Sequence, residues 1–314
     1  MILENVLQAL TAGLLIGSVY ALMCVGLGLI FGVMRVINFA QGEFLMLGMY
    51  GTLYAYTWLA LGSLLGPYVG PIVGALIAGV VVYFFGILLH RYLLVRVTGI
   101  RVAGSEGEGH YPQLILTLGL SLILANAGLI FFGSTPENIR TPLSASAWEI
   151  GPFAGELSVF LNKARSVAFL VSVAVAVVLF IFITRTRIGK MLRAAADNPE
   201  AALYMGIDVE RAHRIAFGLG CAITAVAGGL VATYYPFQPY VGLEFVIIMY
   251  AGVVLGGMGS IGGAFWGGLT IGLVQQLSTL VLPTQLQNTA IFVVFLLIMM
   301  LRPEGLFGRN VERA

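Results

Sequence analysis

Hydrophobic and polar residues come in blocks along this chain. Six stretches, 5–34, 44–90, 109–136, 166–184, 215–243 and 245–301, contain no Asp, Glu, Lys or Arg and together hold 210 of the 314 residues. A helix that crosses the hydrocarbon layer needs about 20 apolar residues. The stretches of about that size therefore each hold one, 44–90 holds most of two, and 245–301 about three. The pattern predicts nine helices, over 8–32, 38–62, 70–93, 113–133, 166–184, 215–235, 243–259, 260–282 and 288–301. Barrel strands would alternate apolar and polar positions, and backbone groups in lipid must be paired within their own segment. The expected class is all-α: a polytopic transmembrane helix bundle in a single domain, 1–314.

Composition strengthens this reading. Only 30 residues carry a charge and 59% are hydrophobic, against roughly a quarter charged in a soluble domain, which excludes a soluble enzyme. The net charge of +2 and the scatter of its cations give no basic stripe for nucleic acid; the expected partner surface is the lipid bilayer. If loops alternate sides, one side collects Arg35, Arg91, Arg96, Arg101, Arg185, Arg187, Lys190, Arg193, Arg211, Arg214, Arg302, Arg309 and Arg313, the other only Arg140, Lys163 and Arg165. The positive-inside rule then places the amino terminus outside and the carboxyl terminus in the cytoplasm. The start, Met1-Ile2-Leu3-Glu4, lacks the basic region of a cleaved signal, so the first helix is expected to be retained.

Chemistry is sparse. Cys24 and Cys221 fall within expected helices, where packing is their expected role. No phosphate-binding loop with its Lys and hydroxyl occurs, so ATP-driven work would come from another chain. The seven glycines of 256–268 have no Lys or acid beside them and suggest close helix packing and a tight turn. His90, His110 and His213 lie at loops or helix ends and converge on no catalytic set. No catalytic residue, metal ligand or cofactor is expected.

Two polar segments remain. The loop 134–165, with Pro136, Pro142 and Pro152, is long for a connection and reads as a docking surface or a disordered spacer. In 185–214, Asn198 suits an N-cap, Pro199 the first helical position, Glu200 the helix dipole, and Gly206 a helix end. The resulting short helix, 199–205, is expected to expose Ala201, Ala202, Leu203, Tyr204 and Met205. An uncovered apolar patch of that kind implies a partner; packing on the protein's own loops or on the lipid interface is the other reading.

Glu200-Ala201-Ala202 followed by Gly206 resembles the E-A-A-x-x-x-G signature of permease subunits of ABC importers, although the I-x-L-P that often follows there is missing. Other segments narrow the likeness. They are Gly17-Ser18-Val19-Tyr20-Ala21-Leu22, Arg35-Val36-Ile37-Asn38-Phe39-Ala40-Gln41-Gly42-Glu43, Thr117-Leu118-Gly119-Leu120-Ser121 with Asn126, the run from Gly256 to Ala264, and Arg302-Pro303-Glu304-Gly305-Leu306-Phe307-Gly308. In order and over nearly the whole chain they are similar to the LivH-type permeases of branched-chain amino-acid ABC importers. That resemblance implies a subunit of the bacterial cytoplasmic membrane. It implies a second, related permease, two ATPase subunits docked on Glu200, Ala201, Ala202, Leu203 and Gly206, and a periplasmic or extracellular solute-binding protein. The family also serves urea and short amides, so the solute does not follow.

Polar groups at membrane depth are costly and face a cavity or one another. Asn38, Gln41 and Glu43, Thr117 and Ser121 on one helical face, Asn126, and Glu244 are the candidates for a translocation path; interhelical hydrogen bonding is their alternative role. A shift of 201 without gaps aligns Gly17 with Gly218, Glu43 with Glu244 and Gly51 with Gly252, which suggests an inverted internal repeat around a midplane pathway. An ion-coupled secondary transporter would want more buried ionisable groups than these, and an intramembrane enzyme a convergent catalytic set.

Overall fold

A computed structural model describes residues 2–98, 111–153, 157–302 and 305–306. Arg101, His110, Pro303, Glu304, Phe307, Gly308, Arg309 and Arg313, named above, lie outside the described residues. The chain forms α1 (Ile2–Met34), α2 (Gln41–Trp58), α3 (Leu61–Leu64), α4 (Gly66–Leu89), a π-turn (His90–Leu94) leading into α5 (Val95–Thr98), and α6 (Tyr111–Phe132). Strands β1 (Ala147–Phe153) and β2 (Leu157–Asn162) follow, then α7 (Lys163–Arg185), α8 (Arg187–Asp197), α9 (Pro199–Tyr204), α10 (Val209–Val231), α11 (Val241–Gly256), α12 (Ile261–Ser278) and α13 (Gln287–Leu301). Among the described residues, α1, α2, α4, α6, α7, α10, α11, α12 and α13 answer one to one to the nine expected helices. Five, those of α1, α4, α6, α7 and α10, are long and apolar enough to cross a membrane unaided.

Boundaries moved where the local chemistry dictates. Helix α1 starts six residues early and runs 33 residues, about 50 Å at 1.5 Å per residue, well beyond a hydrocarbon layer of about 30 Å. Its first turns therefore stand clear of the bundle, where the Gln8 amide bonds both the Phe160 carbonyl and the Phe160 N–H, at 2.7 and 2.9 Å. The disordered-spacer reading of 134–165 is overturned: β1 and β2 pair antiparallel, Trp148 opposite Leu161 and Ile150 opposite Val159. Glu137 exchanges both backbone bonds with Phe237. Helix α2 stops at Trp58, because Ala60 turns left-handed at φ 47° before the chain re-enters through α3.

Helices in lipid gain little from hydrophobic attraction, so close approach by small residues holds them together. Helix α1 packs antiparallel on α12 through Gly13, Gly17, Gly268 and Gly272, and α10 packs antiparallel on α4 through Gly79, Gly86 and Gly218. Helix α2 packs on α4 and α11 on α12; α1 crosses α10 and α2 crosses α11. Exchanging α1, α2 and α4 for α10, α11 and α12 reproduces this set of contacts. Helix α2 runs beside α10 in the same direction, from Gln41 on Gly220 to Thr52 on Gly229, and α1 runs beside α11, from Tyr20 on Phe245 to Gly28 on Val253. The two triplets are thus inverted copies. The ungapped shift of 201 is corrected by the helix starts: α2 begins at 41 and α11 at 241, while connection 232–240 is three residues longer than 35–40. Glu43 corresponds to Leu243, not to Glu244.

Candidate translocation site and coupling surface

The centre of the inverted pair is where the first turns of α2 and α11 cross. Helices of 18 and 16 residues extend only about 27 and 24 Å; the start of α2 is buried at Gln41, Gly42 and Glu43, while that of α11 is buried at Val241 and Gly242 and exposed at Leu243 and Glu244. Gly42 and Gly242 lie against each other there: a Cβ on Gly242 would stand 2.8 Å from the Gly42 carbonyl and 2.9 Å from Glu43 Oε1. Only residues without a side chain permit this approach.

Around the crossing the polar side chains form a buried network. Asn38 Oδ1 accepts from the Ala40 N–H at 3.1 Å and fixes the turn into α2, while Asn38 Nδ2 donates to Gln41 Oε1 at 2.9 Å. Gln41 Nε2 reaches α10, donating to Thr224 Oγ1 at 2.5 Å and to the Gly220 carbonyl at 3.2 Å. From α6, Ser121 Oγ donates to Glu43 Oε1 at 3.1 Å and Thr117 Oγ1 to the Ile37 carbonyl at 3.3 Å. Asn38, Gln41, Thr117, Thr224 and Glu43 are all buried, Glu43 to 1% exposure. Glu43 Oε2 has no hydrogen-bond partner.

Two sequence candidates stay apart from this cluster. Asn126 is exposed and its amide donates to the Leu122 carbonyl of its own helix at 2.7 Å. Five residues past Ser121, it is turned about 140° round the helix. Glu244 is exposed and accepts from the Tyr235 hydroxyl at 3.2 Å; burial and this carboxylate push the Tyr235 phenol above its ordinary pKa.

At the other polar pole, three successive helices are capped by side chains. Thr186 accepts from the Gly189 N–H at 3.0 Å, Asn198 Oδ1 from Ala201 N–H at 3.0 Å, and Asp208 Oδ1 from Arg211 N–H at 2.9 Å. Pro199 occupies the first position of α9 and Glu200 its first turn. Gly206, at φ 77°, closes α9: its N–H bonds Leu203 O and the Ile207 N–H bonds Ala202 O, both at 2.9 Å. That double bond pattern needs a left-handed residue, which glycine supplies cheaply. The exposed surface is Ala201, Leu203, Tyr204 at 89% and Met205 at 81%. Ala202 departs from the expectation. It is 4% exposed and belongs to the core, because in a single turn one face must rest on the bundle.

Comparison with known proteins decides the family. Residues 9–301 match the family described as branched-chain amino acid transport system / permease component. The high-affinity branched-chain amino acid transport system permease protein LivH of Escherichia coli K12 is 30% identical over 310 residues, covering 98% of this chain and 97% of that protein. The corresponding permease BraD of Pseudomonas aeruginosa is 31% identical over 313 residues, covering 98% and 97%. The fructose import permease FrcC of Rhizobium meliloti is 31% identical over 170 residues, 52% of this chain and 46% of that one. The chain belongs to the branched-chain amino acid permease family. It is a multi-pass membrane permease subunit of an ABC importer.

In this permease, sequence reading missed Thr224, Gly220 and Gly242. Each lies on a helix distant in sequence from Asn38–Glu43. The available signal was the recurrence of a glycine second in both short helices, Gln41-Gly42 and Val241-Gly242, which the shift of 201 put out of register by one.

Proposed function

We propose that this permease forms one half of a transmembrane path for branched-chain amino acids, paired with a second, related permease. Two cytoplasmic ATPase subunits supply the energy and a solute-binding protein delivers cargo from outside. The observation that carries this reading is the capped α8–α9 unit. It fixes Leu203, Tyr204 and Met205 on a helix of set length and direction, a surface apolar enough to call for a protein partner. Glu200 to Gly206 form the coupling element in this reading. The basic connections after α1, α4, α7 and α13 face the cytoplasm and the β1–β2 hairpin faces outward with the amino terminus.

Cargo passes the crossing of α2 and α11, with Asn38, Gln41, Glu43, Thr117 and Ser121 lining or shaping the path and Glu244 at its outer approach. Half-helices that begin at the junction of inverted repeats are the recurring architecture of such sites. The test is uptake by the subunit co-expressed with its ATPases, second permease and binding protein. Leucine uptake that depends on ATP supports the reading; uptake of urea or a short amide in its place assigns the same machinery another solute. Uptake without any ATPase would favour an ion-coupled transporter.

A further inference from the structure

Helix α7 has two opposite faces. Ala164, Ala168, Ser172, Leu179 and Ile183 are buried against the bundle, while Leu170, Val177, Val178 and Ile181 are exposed. At 3.6 residues per turn the exposed set forms one apolar stripe on the side away from the buried one. Lys163, the first residue of α7, and Arg185, the last, fall on the same stripe. The 23 residues between and including them extend about 35 Å, close to a hydrocarbon layer of about 30 Å. The stripe thus has the dimensions of a lipid-facing edge, with a cation at the phosphate depth of each leaflet. Arg165, two residues on from Lys163, is turned about 200° round the helix. It stacks on Tyr234 instead, its guanidinium carbon 5.6 Å from the ring centre.

The β1–β2 hairpin continues the stripe at its Lys163 end. Lys163 Nζ lies over the Trp148 ring, 5.9 Å from its centre. Trp148 and Ile150 are 46% and 43% exposed; two positions apart on β1, they share one face of the hairpin, and Glu149 takes the other. No acid among the described residues pairs with Lys163. We infer that Trp148, Ile150 and Lys163 anchor the hairpin in the headgroup layer of the outer leaflet, Lys163 on a phospholipid phosphate and the two apolar side chains at the border of the acyl chains. The choice of leaflet rests on the topology proposed above. The amphipathic ring of tryptophan suits that border, and a lysine lays its apolar stem along it while holding the ammonium among the phosphates. Continuity with α7 decides the occupant, because a solute-binding protein would meet the hairpin from the water, whereas this face runs down into an apolar stripe of membrane length. With lipid on this edge, the second permease pairs through another side.

A nitroxide spin label on Ile150→Cys tests the anchor in the whole importer held in lipid nanodiscs. The subunit is labelled before it joins its partners, and Cys24 and Cys221 are fully buried, so the label reports residue 150. Dissolved oxygen concentrates in lipid and a nickel chelate stays in water; the ratio of their access to the label should be at least threefold higher at 150 than at Asp197→Cys. Lys163→Glu sets a carboxylate against the phosphates at a helix start, where the dipole favours an acid, and should lower the ratio at least twofold. A ratio at 150 equal to that at 197 would leave the hairpin in water and overturn the anchor. Low access for both reagents would overturn it too, since a protein then covers this face, and omitting the binding protein or the second permease would show which. A ratio unmoved by Lys163→Glu would remove the phosphate contact. If the ratio is high but Ala145→Cys reacts with an impermeant thiol reagent only in opened cells, the topology and the outer leaflet fall together. Should Ile150→Cys fail to assemble, the same label on Trp148→Cys, on the same face, decides.

Discussion

Gly42 and Gly242 occupy the same position in two inverted helices, second residue of α2 and second residue of α11, and they touch each other. A contact between equivalent positions marks the local two-fold relation between the halves. It also brings the positive dipole ends of both helices to one point, although the N–H groups of Gln41, Glu43, Phe44, Val241 and Leu243 are already bonded to the preceding turns. Glu43 is the acid placed against that point.

Side chains at this contact should be excluded on steric grounds. Gly242→Ala would press a methyl group into the Gly42 carbonyl and the Glu43 carboxylate, and overpacking of this kind costs about 1–3 kcal/mol. The expected result is a thermal unfolding midpoint lowered by several degrees in detergent. Gly119→Ala is the control, since a Cβ there has nothing within 4 Å. Equal midpoints for the two variants would show that the crossing is looser than described.

The Gln41 amide joins α2 to α10 and also holds Asn38. Gln41→Leu removes the acceptor of Asn38 Nδ2 and the donor to Thr224 and Gly220, leaving a buried amide unpaired at a cost of about 1–3 kcal/mol. Thr224→Val should cost less, about 1 kcal/mol, because the Gly220 carbonyl remains for Gln41. The double variant should be less destabilised than the sum of the singles, because both remove the same bond. Full additivity in chemical or thermal unfolding would mean the network is not shared.

The fold class and the nine helices were legible because charge-free blocks of helical length are a strong, local signal. The α9 caps were legible for the same reason: Asn198, Pro199, Glu200 and Gly206 act on backbone groups within three or four residues. Asn38, Gln41 and Glu43 could be picked out as polar residues in an apolar run, and Thr117 with Ser121 by their spacing of four. What met them could not, since Thr224, Gly220 and Gly242 lie some 180 to 200 residues away and are ordinary residues in ordinary helices. Ala202 was misjudged because a six-residue helix carries no periodicity long enough to tell its inner face from its outer one. The hairpin at 147–162 was obscured by its bulge near Gly151 and Pro152.

Orientation can be read with single cysteines. Cys24 and Cys221 are fully buried, so an impermeant thiol reagent should find little background. Ala145→Cys and Asp197→Cys each place a thiol at an exposed site, one beside the hairpin and one at the end of α8. Labelling of intact cells is expected at 145 and not at 197, with 197 labelled only after the membrane is opened. The reverse pattern would invert the topology and put α9, the proposed coupling helix, on the wrong side for ATPases.

The surface proposed for coupling separates from the core at neighbouring positions. Tyr204 is 89% exposed and Ala202 4%, so Tyr204→Asp changes only what a partner sees, while Ala202→Arg forces an unpaired charge into the bundle, a change that costs several kcal/mol. Tyr204→Asp should insert and keep the parent's unfolding midpoint, yet lose at least tenfold in ATPase co-purification and in uptake. Ala202→Arg should lose the folded subunit itself, seen as aggregation or degradation before any assembly is scored. Normal co-purification and uptake by Tyr204→Asp would sink the assignment of α9 as the ATPase contact. A stable, assembled Ala202→Arg subunit would instead mean that α9 does not rest on the bundle through that residue.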